Sequence, residues 1–178
     1  MHIEKRQDVL LKSLKNYYKS NDKMRELLKV LSKDSTISLR LIDYLCTNYA
    51  KNNDVVLNNT GKSNPENLYL LYRSQLKAFS KIQFDPFKRH ERIEIPCNDL
   101  PNGKLETTVA QLNFFRWIID KKILNWLLIN DNLKKVENDM MSVTKTKKKQ
   151  VSTKAKTKSK QCQKSAKRHN MHITVTFR

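Results

Sequence analysis

The sequence predicts a mainly α protein: a compact helical domain over residues 1–140 with one small β-hairpin near 92–107, a disordered Lys-rich arm over 141–170, and a strand-like segment at 171–178. Three observations carry that expectation. The 178 residues include only 2 Gly and 4 Pro, too few for the turns of a β-sandwich or for Gly-rich phosphate loops. Apolar residues recur at three- and four-residue spacing through one stretch after another. Charge is divided unevenly: residues 142–178 hold 12 of the 36 Lys and Arg and no Asp or Glu, leaving 24 bases against 17 acids, a net +7, in residues 1–141. With 38% hydrophobic residues the chain can bury one small core.

Residues 5–19 place Leu10, Leu14, Tyr17 and Tyr18 on one helical face, and residues 23–33 do the same with Met24, Leu27, Leu28 and Leu31. Ser20-Asn21-Asp22 between them supplies capping side chains, so the pair reads as a helical hairpin. A third helix is expected from Ile37 to Lys51, with Ile37, Leu41, Tyr44, Leu45 and Tyr49 inward and Arg40 and Asp43 outward. The polar loop that follows surrounds Val55-Val56-Leu57, the length of one short strand.

The stretch from Leu68 to Arg92 organises the rest. Asn64-Pro65-Glu66 has the form of a helix start, with Asn as cap, Pro in the first helical position and an acid in the positive first turn. On a helical wheel Leu68, Leu71, Tyr72, Gln75, Leu76 and Phe79 form one stripe, while Arg73, Lys77 and Lys81 stack opposite at i, i+4 and i+8. Like charges so placed repel by about 0.2–0.5 kcal/mol per pair unless water or an anion attends them. Asp85-Pro86 ends the helix, because a residue before proline avoids the α region, and Phe84 and Phe87 anchor the turn. Lys88, Arg89, His90 and Arg92 follow at once. Arg92-Ile93-Glu94-Ile95 alternates, Asn102-Gly103 is a turn pair, and Lys104–Thr107 returns, which makes a hairpin with its tip at 98–103.

Thr107-Thr108 then caps residues 109–119, where apolar side chains point nearly all round, so this helix belongs at the centre. Arg116, lying among aromatics, reads as a buried paired cation first and as a stacked cation reaching the surface second. Ile123, Leu124, Trp126, Leu127 and Leu128 make a last helix, with fraying turns from Leu133 to Val143. From 143 to 160 Lys, Thr, Ser, Ala and Gln cannot bury enough apolar area to offset ordering. At the end Ile173, Val175 and Phe177 share one face at period two, a strand able to add to a sheet edge in this chain or in a partner.

Catalytic and metal chemistry find little support. Cys46, Cys97 and Cys162 are odd in number and widely spaced, with no Cys-x-x-Cys pair, so neither a disulfide framework nor a zinc site follows. Gly61-Lys62-Ser63 resembles the end of a phosphate loop, but the required upstream glycine position holds Val56. His169 and His172 lack further ligands. Asp85, His90 and Glu91 are near one another, yet no second acidic cluster stands out to hold a hydrolytic magnesium, so a nuclease-like enzyme is the minor reading. No catalytic residue, metal or cofactor is expected. The N-terminus has no apolar signal core and no apolar run is long enough to span a bilayer, so an intracellular protein with reduced thiols is the default.

The bases point instead to phosphate. Arg73, Lys77, Lys81, Lys88, Arg89 and Arg92 form a fixed patch on folded elements, and the arm adds Lys145, Lys147, Lys148, Lys149, Lys154, Lys156, Lys158, Lys160, Lys164, Lys167 and Arg168. The arm is similar in composition to linker-histone tails and basic nuclear-import tracts. Nothing in the chain reads bases: there is no zinc-finger spacing, no aromatic RNA-binding sheet motif and no recognition helix.

Three blocks carry a resemblance. They are residues 37–51 (Ile-Ser-Leu-Arg-Leu-Ile-Asp-Tyr-Leu-Cys-Thr-Asn-Tyr-Ala-Lys), residues 72–81 together with Asp85-Pro86-Phe87-Lys88-Arg89, and residues 106–117 (Glu-Thr-Thr-Val-Ala-Gln-Leu-Asn-Phe-Phe-Arg-Trp). With the closing His169-Asn170-Met171-His172-Ile173-Thr174-Val175 they resemble a family of small basic proteins encoded by nucleocytoplasmic large DNA viruses. The resemblance implies a viral origin, with localisation inside an infected host, at the replication site in cytoplasm or nucleus, or in the virion. It assigns no catalytic residue.

The expected function is therefore that of a non-enzymatic, largely sequence-independent DNA-binding or genome-packaging protein of a large DNA virus, with nucleic acid, duplex DNA first, as its partner. The alternative is a virion assembly adaptor that binds acidic capsid or core proteins through the arm and docks Ile173, Val175 and Phe177 by strand addition.

Overall fold

The computed structural model describes residues 6–32, 35–57 and 65–145. Helices α1 (Arg6–Tyr17) and α2 (Asn21–Leu31) form as two successive helices, but each packs on the later helix over 109–120 rather than mainly on the other, so the expected helical hairpin is two helices laid on a common core. Helix α3 (Leu39–Tyr44) runs directly into a π-helical turn (Leu45–Tyr49) and the short α4 (Ala50–Asn52). Strands β1 (Val56–Leu57) and β2 (Glu66–Asn67) pair antiparallel and lead into α5 (Leu68–Gln83). Strands β3 (Arg92–Pro96) and β4 (Lys104–Thr108) make the hairpin, followed by α6 (Val109–Asp120), α7 (Ile123–Leu128) and a helical stretch over 132–145. The first compact unit ends at Met140.

The mainly α expectation holds, and α6 is its centre. From Val109 to Ile119 every residue but Arg116 is buried, and the helix touches α1, α2, α5, α7 and β4. A helix that is apolar all round has no solvent face to give, and five neighbours are what it takes to cover it. Phe84, Phe114 and Trp117 meet pairwise at ring separations of 5.1, 5.5 and 5.9 Å in tilted or edge-on geometry, and Tyr72 packs on Phe84 and Trp117. Such pairs are worth about 0.5–1.5 kcal/mol each beyond the area they bury. Tyr18 ties α1 to this core by donating its hydroxyl to the Leu112 carbonyl at 2.9 Å.

Gln111 and Asn113 of α6 are as buried as its apolar residues, and each has a task. Gln111 Nε2 donates to the Pro86 carbonyl at 2.8 Å, and Gln111 Oε1 accepts from Thr107 Oγ1 at 2.9 Å. Asn113 Nδ2 donates to the Gln83 carbonyl at 2.9 Å. The Asp85 amide donates to the Ala110 carbonyl at 3.3 Å. Three backbone groups of the α5–β3 connection are thereby satisfied by one face of α6, which a buried loop requires.

Several expectations need correction. Helix α2 buries Met24, Leu27 and Val30, an i, i+3, i+6 row, and leaves Leu28 and Leu31 only half-buried, so the row that meets the core is offset from the expected stripe. Ile37 and Ser38 precede α3; Ser38 is its cap, accepting from the Leu41 amide at 3.2 Å. The third helix is not regular: Thr47 Oγ1 takes the Asp43 carbonyl at 2.7 Å inside the π turn, competing with the backbone ladder. Helix α5 starts at Leu68 with Asn67 as cap, accepting from the Leu70 amide at 3.0 Å, because Glu66 and Asn67 are held extended by β1. Glu66 instead ion-pairs with Lys121 at 2.7 Å, with both side chains about four-fifths buried. Among the described residues Arg116 has no carboxylate pair; it donates to Asn113 Oδ1 at 3.1 Å and Ser13 Oγ at 3.2 Å. Residues 141–145, expected as disordered arm, are helical, continuing a helix whose Leu133, Val136 and Met140 stripe packs on the core.

The largest departure lies in α5, where Ser80 has φ 54° and ψ 175°. An L-residue there is strained by about 1–3 kcal/mol. Ser80→Gly should raise the urea unfolding midpoint by the equivalent of about 1 kcal/mol; in an unbroken helix the same change would lower it by about 0.5–1 kcal/mol. Gln111→Met, which keeps the volume but strands the buried Pro86 carbonyl and Thr107 hydroxyl, should cost about 1–3 kcal/mol in the same titration.

Candidate nucleic-acid interface

Helix α5 positions the first part of the basic surface. Arg73 and Lys77 are exposed on the side away from the buried Leu68 and Tyr72, and neither makes an ion pair among the described residues. The Arg73 guanidinium lies 6.0 Å from the Tyr69 ring, which steadies it without neutralising it. Lys81 does not complete the row. Helical geometry fails at Ser80, so the i, i+8 stacking over Arg73 is lost, and the Lys81 charge is instead felt by Asp43.

The second part is exposed but compensated. Lys88 and Arg92 both reach Glu106, Lys88 at 3.8 Å. Arg89 lies 3.6 Å from Asp85 and stacks 4.5 Å over the Phe87 ring. Hairpin pairing explains the first arrangement: the register sets Glu94 opposite Glu106, and like charges facing across a ladder need cations. Lys104 takes Glu94 at 2.8 Å and Arg92 takes Glu106. The six patch residues thus divide into three open cations and three that already have carboxylate partners.

Behind them lies a group the sequence did not bring together. Asp43, expected on an outer helix face, is only part-exposed, and its carboxyl is raised above its ordinary pKa, first by burial and then by the nearby Asp85, while Arg89 and Lys81 pull it back. Tyr72 beside them is pushed up to about 12, again by burial first and then by Asp43. Asp85 itself is 8% exposed; its Oδ1 accepts from the Phe87 amide at 3.2 Å. His90, part-exposed, contacts the Lys81 carbonyl through Nε2 at 3.1 Å. Among the described residues no three His, Cys, Asp or Glu side chains come together as a metal cluster. Cys46 and Cys97 are buried free thiols. The one sequence signal for the Asp43–Asp85 approach is Asp-Pro at the end of α5, which forces the chain to turn there; the π turn left no trace in the apolar spacing.

Of the arm, Lys145 is exposed at the end of the 132–145 helix. Lys147, Lys148, Lys149, Lys154, Lys156, Lys158, Lys160, Lys164, Lys167 and Arg168, and the strand face of Ile173, Val175 and Phe177, lie outside the described residues. Among the described residues no helix is long and apolar enough to cross a membrane. A carboxyl whose pKa is raised by folding is harder to ionise in the folded chain, so stability falls as pH rises from the unfolded carboxylate range through the folded pKa. Asp43→Asn should therefore raise the unfolding midpoint at neutral pH, with the gain disappearing below about pH 4; a gain equal at every pH would point to packing instead.

Comparison with known proteins places the chain. The family described as "Family of unknown function (DUF7197)" matches residues 2–176. "Uncharacterized protein L507" of Acanthamoeba polyphaga mimivirus is 34% identical over 127 residues, which cover 68% of this chain and 48% of the relative. The chain spans about half the length of that relative. No solved structure matches the chain. A mimivirus is a nucleocytoplasmic large DNA virus, which bears out the resemblance read from the three sequence blocks. With nearly its whole length matched, this chain belongs to the DUF7197 family.

Proposed function

We propose that this protein binds nucleic acid, duplex DNA first, through its phosphates, without catalysis and largely without sequence preference, in packaging the genome of a large DNA virus. The observation that carries this reading is the pair of exposed cations on one rigid helix, Arg73 and Lys77, left without a carboxylate partner among the described residues of a strongly basic chain. Guanidinium and ammonium groups on flexible stems can each take a phosphate and release its counterions. Helix α5 supplies position, and the acid-free run over 142–178 supplies charge. The setting is an infected host cell, in keeping with a viral relative.

The same geometry ranks the cations. Exposed ion pairs are worth about 0.2–1 kcal/mol, so Lys88, Arg89 and Arg92 can exchange carboxylate for phosphate, with part of the gain offset by the pair they lose. Arg73 and Lys77 have no such pair to break.

Binding of a labelled DNA duplex, followed by anisotropy, should weaken by orders of magnitude between about 50 and 200 mM salt, with a logarithmic slope of about −0.9 per phosphate contacted. Arg73→Ala with Lys77→Ala should reduce that slope by about 2 units, and Lys88→Ala with Arg92→Ala by less. Deleting residues 143–170 should remove most of the affinity. Salt-independent binding would overturn the reading, and equal losses from the two double variants would overturn the ranking.

A further inference from the structure

A second surface, on other elements, has a different character. Between α2 and α7, floored by the end of α6, runs an open cleft of about 530 Å³. Its floor and walls include Val30, Ile37, Ile118, Ile119, Leu124 and Leu128. Four of these are nearly inaccessible, but Leu128 is 65% exposed and the adjoining Ile129 is 54% exposed. Exposed branched side chains beside an apolar floor make a larger contiguous apolar surface than either would alone.

The rim is charged and unbalanced. Lys23, Lys29 and Lys122 border the cleft, with Glu26 the one acid among the lining residues. Glu26 lies 3.8 Å from Lys23, so those two compensate each other and leave Lys29 and Lys122. Lys122 is held where it is by the turn between α6 and α7: its φ is +53°, its amide donates to the Ile119 carbonyl at 3.0 Å, and its carbonyl accepts from the Asn125 amide at 3.1 Å.

We propose that this cleft docks an acidic amphipathic helix of a partner protein. The walls are themselves helices, with Lys23, Glu26, Lys29 and Val30 on two turns of α2 facing Leu124 and Leu128 on one turn of α7. A helix presenting apolar anchors at i, i+3, i+4 and i+7 can cover Leu128 and the floor, while acidic residues flanking that stripe meet Lys29 and Lys122. A small molecule fits less well, since ligand pockets enclose about 70–90% of their guest and a wall residue as open as Leu128 does not enclose. The charge also selects against the chain's own basic C-terminal stretch as occupant.

The test uses the full-length protein, isotopically labelled, in about 0.15 M salt, where the Debye length is about 8 Å and diffuse attraction to the basic arm is screened. The probe is a synthetic helical peptide with Leu at the anchor positions and Glu beside them. Its controls are a shuffled peptide of the same composition and a peptide with Lys in place of Glu. Saturable binding of the Glu peptide alone is expected, with amide shifts on α2, α7 and the end of α6. Leu128→Ser should weaken it about tenfold, the size of one lost Leu contact. Lys29→Glu with Lys122→Glu should weaken it further and admit the Lys peptide. Should that double variant melt early, Leu128→Ser still decides the matter, because its side chain is already exposed. Equal binding of the shuffled peptide, shifts on α5 or the arm instead, or no binding would overturn the proposal. So would self-association abolished by Leu128→Ser, or contacts from residues 171–178 to Leu128 in the free protein.

Discussion

The buried carboxamides of Gln111 and Asn113 reach from the central helix to the carbonyls of Pro86 and Gln83, and the path of the chain between α5 and β3 depends on them. That connection carries Phe84 into the aromatic core and then sets Lys88, Arg89 and Arg92 on the surface. A buried loop with unsatisfied carbonyls would lose more than it gains from packing. With the amides of α6 in place, the loop is pinned at both ends of Asp85-Pro86, and Thr107 fixes the orientation of the Gln111 side chain. The strained backbone at Ser80, a residue whose own preference opposes the turn, lies just ahead of this pinned segment: past the break, the Gln83 carbonyl accepts from Asn113 and Phe84 enters the aromatic core.

Charge on this surface is decided by pairing rather than by number. The hairpin register faces Glu94 with Glu106, and the cations around them are drawn into cross-strand pairs. Helix α5 has no acid among its sixteen residues, so its cations stay open. Two sets of three cations therefore differ in how far their charge is already compensated. The carboxyls of Asp43 and Asp85 add a negative point behind the patch, and the nearby Arg89 and Lys81 lower the cost of keeping both acids there.

The cleft between α2 and α7 and the cations of α5 lie on different helices that each pack on α6. One surface is apolar with a basic rim, the other polar and basic. Because they lie on separate elements, the two surfaces differ in chemistry without sharing a side chain.

Much of the fold was legible in the sequence. The largely apolar character of residues 109–119 forced a central helix, and Asn102-Gly103 with alternating flanks forced the hairpin, because each depends only on local pattern and composition. Tertiary structure decided the rest. It bent α5 at Ser80, turned the third helix through a π turn, put Asp43 beside Asp85, and gave Lys88 and Arg92 a shared carboxylate. These are pairings between positions far apart in the chain, and local strain of about 1–3 kcal/mol is tolerated where burial of aromatic side chains and satisfaction of buried carbonyls outweigh it. No periodicity along one segment records which distant carboxylate or carbonyl will meet it.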